Sequence, residues 1–166
     1  TFPVSPIYSC RKCGGILRVD YDNEKLNIDK NSSNILSRYS NFLPINVKTL
    51  VTLGEGNTPL TRASQLAKWL GIKELLFKNE GCNPTGSFKD RPISIGISKA
   101  KDFGFDTVVI ASSGNAGASV GAYAAKAGLK SIVMVPEGTP LPKILQTLSY
   151  GAQIIIVKGT FSFCFN

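Results

Sequence analysis

The sequence predicts an α/β fold: a parallel sheet flanked by helices on both faces and preceded by a small β-hairpin. Three observations predict it. From residue 48 onward, short β-branched or apolar runs alternate with segments of helical periodicity, the pattern of strands joined by crossover helices. The runs at 107–111, 131–135 and 153–157 lack polar alternation, as strands covered on both faces do. Hydrophobic residues make up 43% of the 166 and charged residues 18%, enough for a packed core.

Each element follows in order. Residues 7–10 and 16–21 are strand-like, and Cys13-Gly14-Gly15 supplies the corner between them, so 1–22 is expected to be a hairpin. Residues 23–45 are polar and rich in Asn and Ser, the composition of a linker. The main domain then runs over 46–166. It opens with a strand at 48–53, then a helix that Ser64 caps and that ends at Leu70 before Gly71. A strand at 74–78 leads to a helix from Ser87 to Phe103, with Pro92 in the first turns, where proline costs least. Strand 107–111, an Ala- and Gly-rich helix at 115–127, strand 131–135, helix 140–150 and strand 153–157 complete the alternation.

Composition removes whole classes of chemistry. There is no histidine, which excludes Ser-His-Asp and Cys-His catalysis and the HExxH zinc site. Nineteen Lys and Arg against eleven Asp and Glu leave a net charge of +8. The basic residues are dispersed, which suits a solvated surface or small anions and argues against a nucleic-acid partner. Residues 107–125 carry no charge, yet five Ser, Thr or Asn and three Gly interrupt them, so no membrane span is expected. Four cysteines, two of them in a C-x-x-C, suit a reducing cytoplasm better than a disulfide framework.

In open α/β sheets ligands bind where strands end and helices begin. Two such junctions stand out, 79–91 and 111–117. In the first, Lys89 falls at a helix start, where the dipole disfavours an unpaired cation and a nucleophilic amine has a natural place. The plainer reading is a surface lysine paired with Asp90. In the second, Ser112-Ser113-Gly114-Asn115-Ala116-Gly117 offers backbone N–H groups and a side-chain amide suited to a carboxylate or phosphate. Its plainer reading is a turn whose Gly117 and Gly121 pack against the sheet.

Taken together, NPTGSFKDR, the SSGNAG turn whose asparagine lies 26 residues after the lysine, and the LGEGNTPL run resemble the pyridoxal-phosphate enzymes of fold type II. Among these the chain is similar to the threonine synthases, which the upstream C-x-x-C-G-G also suggests. The resemblance implies that Lys89 holds the cofactor, pyridoxal 5′-phosphate, as a Schiff base and then acts as the mobile acid and base. It implies that Phe88 packs beside the pyridine ring and that Asn115 bonds its phenolic oxygen. Ser112, Ser113, Asn115 and the Ala116 N–H would hold the substrate α-carboxylate. The implied reaction turns O-phospho-L-homoserine and water into L-threonine and phosphate. Other members of the superfamily, a dehydratase or a cysteine-synthase-like enzyme, remain the alternative, as does an inactive homologue acting as a binding module. Ala116 stands where many relatives carry a hydroxyl residue, and Pro92 where many carry glycine.

The resemblance also implies a second domain holding the cofactor phosphate, and a homodimer at full length. No further glycine-rich loop occurs here, and 159–166 reads as an irregular end, so the chain is expected to be a truncated, inactive N-terminal portion with an exposed apolar face. Cys10 and Cys13 resemble half of a zinc ribbon. A closed site needs four ligands, and Cys82 and Cys164 lack the spacing, so no metal is expected unless an upstream pair completes it. Cys82 is read as a packing residue.

Overall fold

The computed structural model describes residues 2, 5–21 and 27–165. Of the hairpin, one antiparallel bridge forms, between Ser9 and Ile16. The Cys10 N–H donates to the Gly15 carbonyl and the Gly14 N–H to the Cys10 carbonyl, both at 2.8 Å. Longer ladders do not form: Tyr8 is 83% and Ile16 97% exposed, so no buried face holds two strands in register. Residues 1, 3, 4 and 22–26 of the hairpin and linker lie outside the described residues.

Within 27–45 the polar composition conceals a helical turn, α1 (Ile35–Arg38). Asn34 caps it, accepting from the Leu36 and Ser37 N–H groups at 3.0 Å, and Leu36 is buried beneath it.

The strand expected at 48–53 is absent. Its start is a 3₁₀ turn, Val47–Thr49, and the extended residues that follow pair with side chains instead of a neighbouring strand. The Val51 N–H donates to Ser98 Oγ (2.9 Å), and Ser94 Oγ donates to the Val51 carbonyl (2.5 Å). Two buried serines thus satisfy the backbone groups that a ladder would have used. The strand expected at 74–78 shortens to β2 (Leu76–Lys78) and pairs antiparallel with β1 (Leu60–Arg62), a strand the sequence pattern did not reveal. Between them lies α2 (Ser64–Trp69), where Ala63 is the N-cap and Ser64 the first helical residue, with no side-chain cap bond.

The remaining elements follow the predicted order. Helix α3 (Asp90–Asp102) starts three residues late, because Gly86 at φ +79° leads into a turn over 87–89 in which the Lys89 N–H donates to Ser87 Oγ (3.2 Å). Then come β3 (Thr107–Ala111), α4 (Asn115–Ala127), β4 (Lys130–Pro136), α5 (Leu141–Ser149) and β5 (Gln153–Val157). The sheet is parallel in the order β3-β4-β5, with Thr107 opposite Lys130 and Ile132 opposite Gln153.

Helix α4 is the centre of the packing. Its Val120, Ala122, Tyr123 and Ala124 join Val51 and Ile97 in one buried cluster. Of its glycines, Gly117 packs against the sheet as the plainer reading expects, while Gly121 packs against the end of α5 and the residues after it. A Cβ on Gly117 would stand 2.9 Å from Val133 Cγ1, and one on Gly121 3.3 Å from Tyr150 Cβ. Both let α4 lie close to its neighbours. The Phe161–Phe165 turn packs on β3 and β4 with Cys164 buried, while Val109, Leu141 and Ile156 stay exposed.

Candidate active site

Helices α3 and α4 lie against each other with their N-terminal turns joined, because Ser119 Oγ donates to Asp90 Oδ1 at 2.6 Å. That bond brings the two junctions into one region. On the first, Lys89 is half-buried, and its ammonium lies 4.8 Å from the centroid of the Phe88 ring, which is 53% exposed. Among the described residues Lys89 makes no ion pair. The pairing with Asp90 does not occur. Asp90 points inward, fully buried, and accepts from the Thr85 N–H (2.7 Å), the Thr85 hydroxyl (2.5 Å) and Ser119. With three donors gathered on its two oxygens, it faces the interior and forms no pair with the amine next to it.

On the second junction, Ser112 Oγ accepts from the N–H groups of Gly114 (3.3 Å) and Gly117 (3.0 Å), closing the turn upon itself. The N–H groups of Asn115 and Ala116 have no acceptor among the described residues, and the exposed Asn115 side chain makes no hydrogen bond there. Ser113 is half-buried beside them. Unpaired N–H groups at a helix start carry a partial positive charge and suit an anionic ligand.

The approach to Lys89 is fixed by polar contacts that sequence reasoning missed. Arg91 grips Glu80 with two bonds, Nε to Oε2 and Nη2 to Oε1, each 2.8 Å. The Arg91 bond, helped by Thr58 and Asn83 against the cost of desolvation, lowers the Glu80 pKa from 4.5 to about 2. Asn83 Oδ1 accepts from the Gly56 N–H at 2.9 Å, tying the lysine loop to LGEGNTPL. Gly56 sits at φ +91°, and a Cβ there would meet Ile35 Cγ2 at 2.2 Å, so that loop needs glycine at this position. Glu55 is buried and accepts from Tyr123 OH at 2.6 Å; burial and then this bond push the Tyr123 phenol far up. Thr85, Asp90 and Gln146 are separated by 5 to 61 residues, and no periodicity signals their meeting.

The residues present fit pyridoxal phosphate on two counts: an amine held without an acid partner, and a turn offering unpaired N–H groups and an amide. Cys10 and Cys13 lie far from this in sequence, and no group of three or more metal-ligand side chains occurs among the described residues. The N–H groups of Lys12 and Cys13, then the Cys13 thiol, hold the Cys10 thiol below its ordinary pKa. Cys82 is exposed rather than packed, which corrects its reading as a packing residue. No helix among the described residues is long and apolar enough to cross a membrane.

Comparison with known proteins agrees with this geometry. The family described as "Pyridoxal-phosphate dependent enzyme" matches residues 51–166, and the chain belongs to that family, whose cofactor is pyridoxal 5′-phosphate. Its fold is that of the fold type II members: it superposes on maize serine racemase with a TM-score of 0.60 at 30% identity, covering 64% of this chain and 32% of that one. Diaminopropionate ammonia lyase from Escherichia coli gives a TM-score of 0.63 at 20% identity, covering 71% and 36%. In sequence the chain is similar to threonine synthases. It is 48% identical to that of Methanocaldococcus jannaschii over 93% of its own length and 40% of the relative's. It is 48% identical to that of Halalkalibacterium halodurans over 76% and 36%. The chain therefore spans about two fifths of the length of these curated relatives.

Proposed function

We propose that this chain carries the lysine loop and the substrate turn of a cytoplasmic threonine synthase, which converts O-phospho-L-homoserine and water to L-threonine and phosphate. The observation that carries the reading is the Lys89 amine, left without an acid partner because Asp90 is engaged elsewhere. The two threonine synthases at 48% identity support the choice of reaction.

Pyridoxal phosphate, when bound, supplies the electron sink for this chemistry. The chain's own residues supply binding and proton traffic. Lys89 Nζ would hold the cofactor and would then take and return protons at the substrate carbons. Phe88, exposed beside Lys89, would cover one side of the ring. The Asn115 amide would donate to the phenolic oxygen. The N–H of Ala116, with Ser112, Ser113 and Asn115, receives the substrate carboxylate; the Ser112 O–H remains available to donate although its oxygen closes the turn. Phosphate leaves Cγ with the bonding electron pair, and water adds at Cβ, so the reaction needs no external oxidant or reductant.

A chimera tests the assignment. The chain replaces its aligned portion of the Methanocaldococcus jannaschii enzyme, and the product is offered O-phosphohomoserine, serine, threonine and O-acetylserine. Phosphate release with threonine formation, abolished by Lys89→Ala, is the expected result. A folded, cofactor-loaded chimera that consumes only serine, threonine or O-acetylserine refutes the reaction.

A further inference from the structure

We infer that Asp90 is a positioning residue whose buried carboxylate clamps the lysine loop to helix α4 and thereby sets where the Lys89 amine stands against the 112–116 turn. The inference rests on the reading of Lys89 given above and adds the element that holds it in place.

The clamp has two arms. One is local: the Thr85 N–H to Oδ2 at 2.7 Å and the Thr85 hydroxyl to Oδ1 at 2.5 Å, across five residues. The other is remote: Ser119 Oγ to Oδ1 at 2.6 Å, across 29 residues. Ser119 sits one helical turn beyond Asn115 on α4, so the remote arm spans the two ligand-facing junctions directly. Asp90 is wholly buried and is the first residue of α3, where the helix dipole favours an acidic side chain. Its donors are all uncharged, and no cation pairs with it among the described residues.

Thr85 is held on its other side as well. Its carbonyl accepts from Gln146 Nε2 of α5 at 3.0 Å, so N–H, hydroxyl and carbonyl are all committed. The loop is thereby tied to α4 and α5 at the residue four positions before the lysine. Apolar groups of matching shape would stabilise such a buried contact as well as a carboxylate does. What three directed bonds add is a fixed geometry. Because Asp90 turns inward, Lys89 is left over the half-exposed Phe88 ring.

Two measurements on the chimera with the Methanocaldococcus jannaschii enzyme test this with three variants. Amide hydrogen exchange of residues 85–89 is read without cofactor. The share of pyridoxyl label on Lys89 is read by peptide mapping after reduction with borohydride in the presence of pyridoxal phosphate. Ser119→Ala cuts only the remote arm, Thr85→Val removes one local donor, and Thr85→Ser keeps the hydroxyl. The clamp predicts about tenfold faster loop exchange and a several-fold smaller Lys89 share in Ser119→Ala and Thr85→Val, the effect of one lost buried hydrogen bond. Thr85→Ser restores both. Wild-type exchange and wild-type labelling in Ser119→Ala and Thr85→Val, whatever their melting temperatures, overturn the clamp alone. Label absent from Lys89 in the unaltered chimera overturns the reading of the lysine itself, a result the variants cannot produce.

Discussion

Three helical glycines differ in what an added methyl group would meet, and Gly→Ala at each gives a graded test of the packing that shapes the turn at 112–117. At Gly96, on the exposed side of α3, a Cβ meets nothing within 4 Å. The variant gains helix propensity alone, about 0.8–1 kcal/mol. At Gly121 the nearest atoms lie at 3.3–3.4 Å, so neighbours give by a few tenths of an ångström and the gain is largely cancelled. At Gly117 the Cβ falls 2.9 Å from Val133 Cγ1 and 3.2 Å from the Ser112 carbonyl. Val133 is buried and stiff at χ1, and the Ser112 oxygen is backbone, so neither yields cheaply. Overpacking of this kind costs about 1–3 kcal/mol, which outweighs the propensity gain. The melting temperatures should therefore rank Gly96→Ala above the parent, Gly121→Ala near it and Gly117→Ala below it. For a chain of this size each kcal/mol is worth about 2–4 °C. Gly117→Ala should also weaken pyridoxal-phosphate labelling, since relief of the clash displaces Ser112. A Gly117→Ala protein as stable as Gly96→Ala would refute the close approach of α4 to β4.

Other expectations follow from single contacts. Asn115→Ala should leave stability unchanged, because the exposed side chain bonds nothing among the described residues, yet weaken pyridoxal-phosphate binding by about 2–10-fold, the value of one hydrogen bond; titration of the absorbance band of bound cofactor measures this. Glu80, depressed from 4.5 to about 2, contributes stability that is fully present above about pH 4.5 and lost as pH falls toward 2; Glu80→Gln should flatten urea-melt stability across that window. Cys10, whose thiolate receives the Lys12 and Cys13 N–H groups, should alkylate with iodoacetamide ahead of the exposed Cys82 at neutral pH; equal rates would contradict that hydrogen bonding.

The stretch from Thr107 to Val157 was legible because its signals are local. A β-branched run such as Thr-Val-Val-Ile-Ala reads as a strand, and the Ala-rich α4 runs between turn residues that mark its ends. Residues 48–53 were misread for the opposite reason. Val51 at their centre is buried, but its backbone hydrogen bonds go to Ser94 and Ser98, 43 and 47 residues away, which no local pattern encodes. Strands β1 and β2 are three residues each and largely exposed, too short for a period to show. At the site, Lys89 and the Ser112–Gly117 turn were visible as motifs, since glycines, an asparagine and a lysine at strand-to-helix junctions have few structural uses in combination. The partner of Asp90 was not. Adjacency suggested Lys89, while three-dimensional packing chose Thr85 and Ser119.

The central claim is that Lys89, and no other lysine, is the residue that bonds the cofactor. Reduction with borohydride in the presence of pyridoxal phosphate, followed by peptide mapping, measures it directly. The account predicts the pyridoxyl group on the peptide containing Ser87-Phe88-Lys89 and its loss in Lys89→Ala; label concentrated instead on Lys78, Lys99 or Lys101, or spread evenly among the lysines, would contradict it.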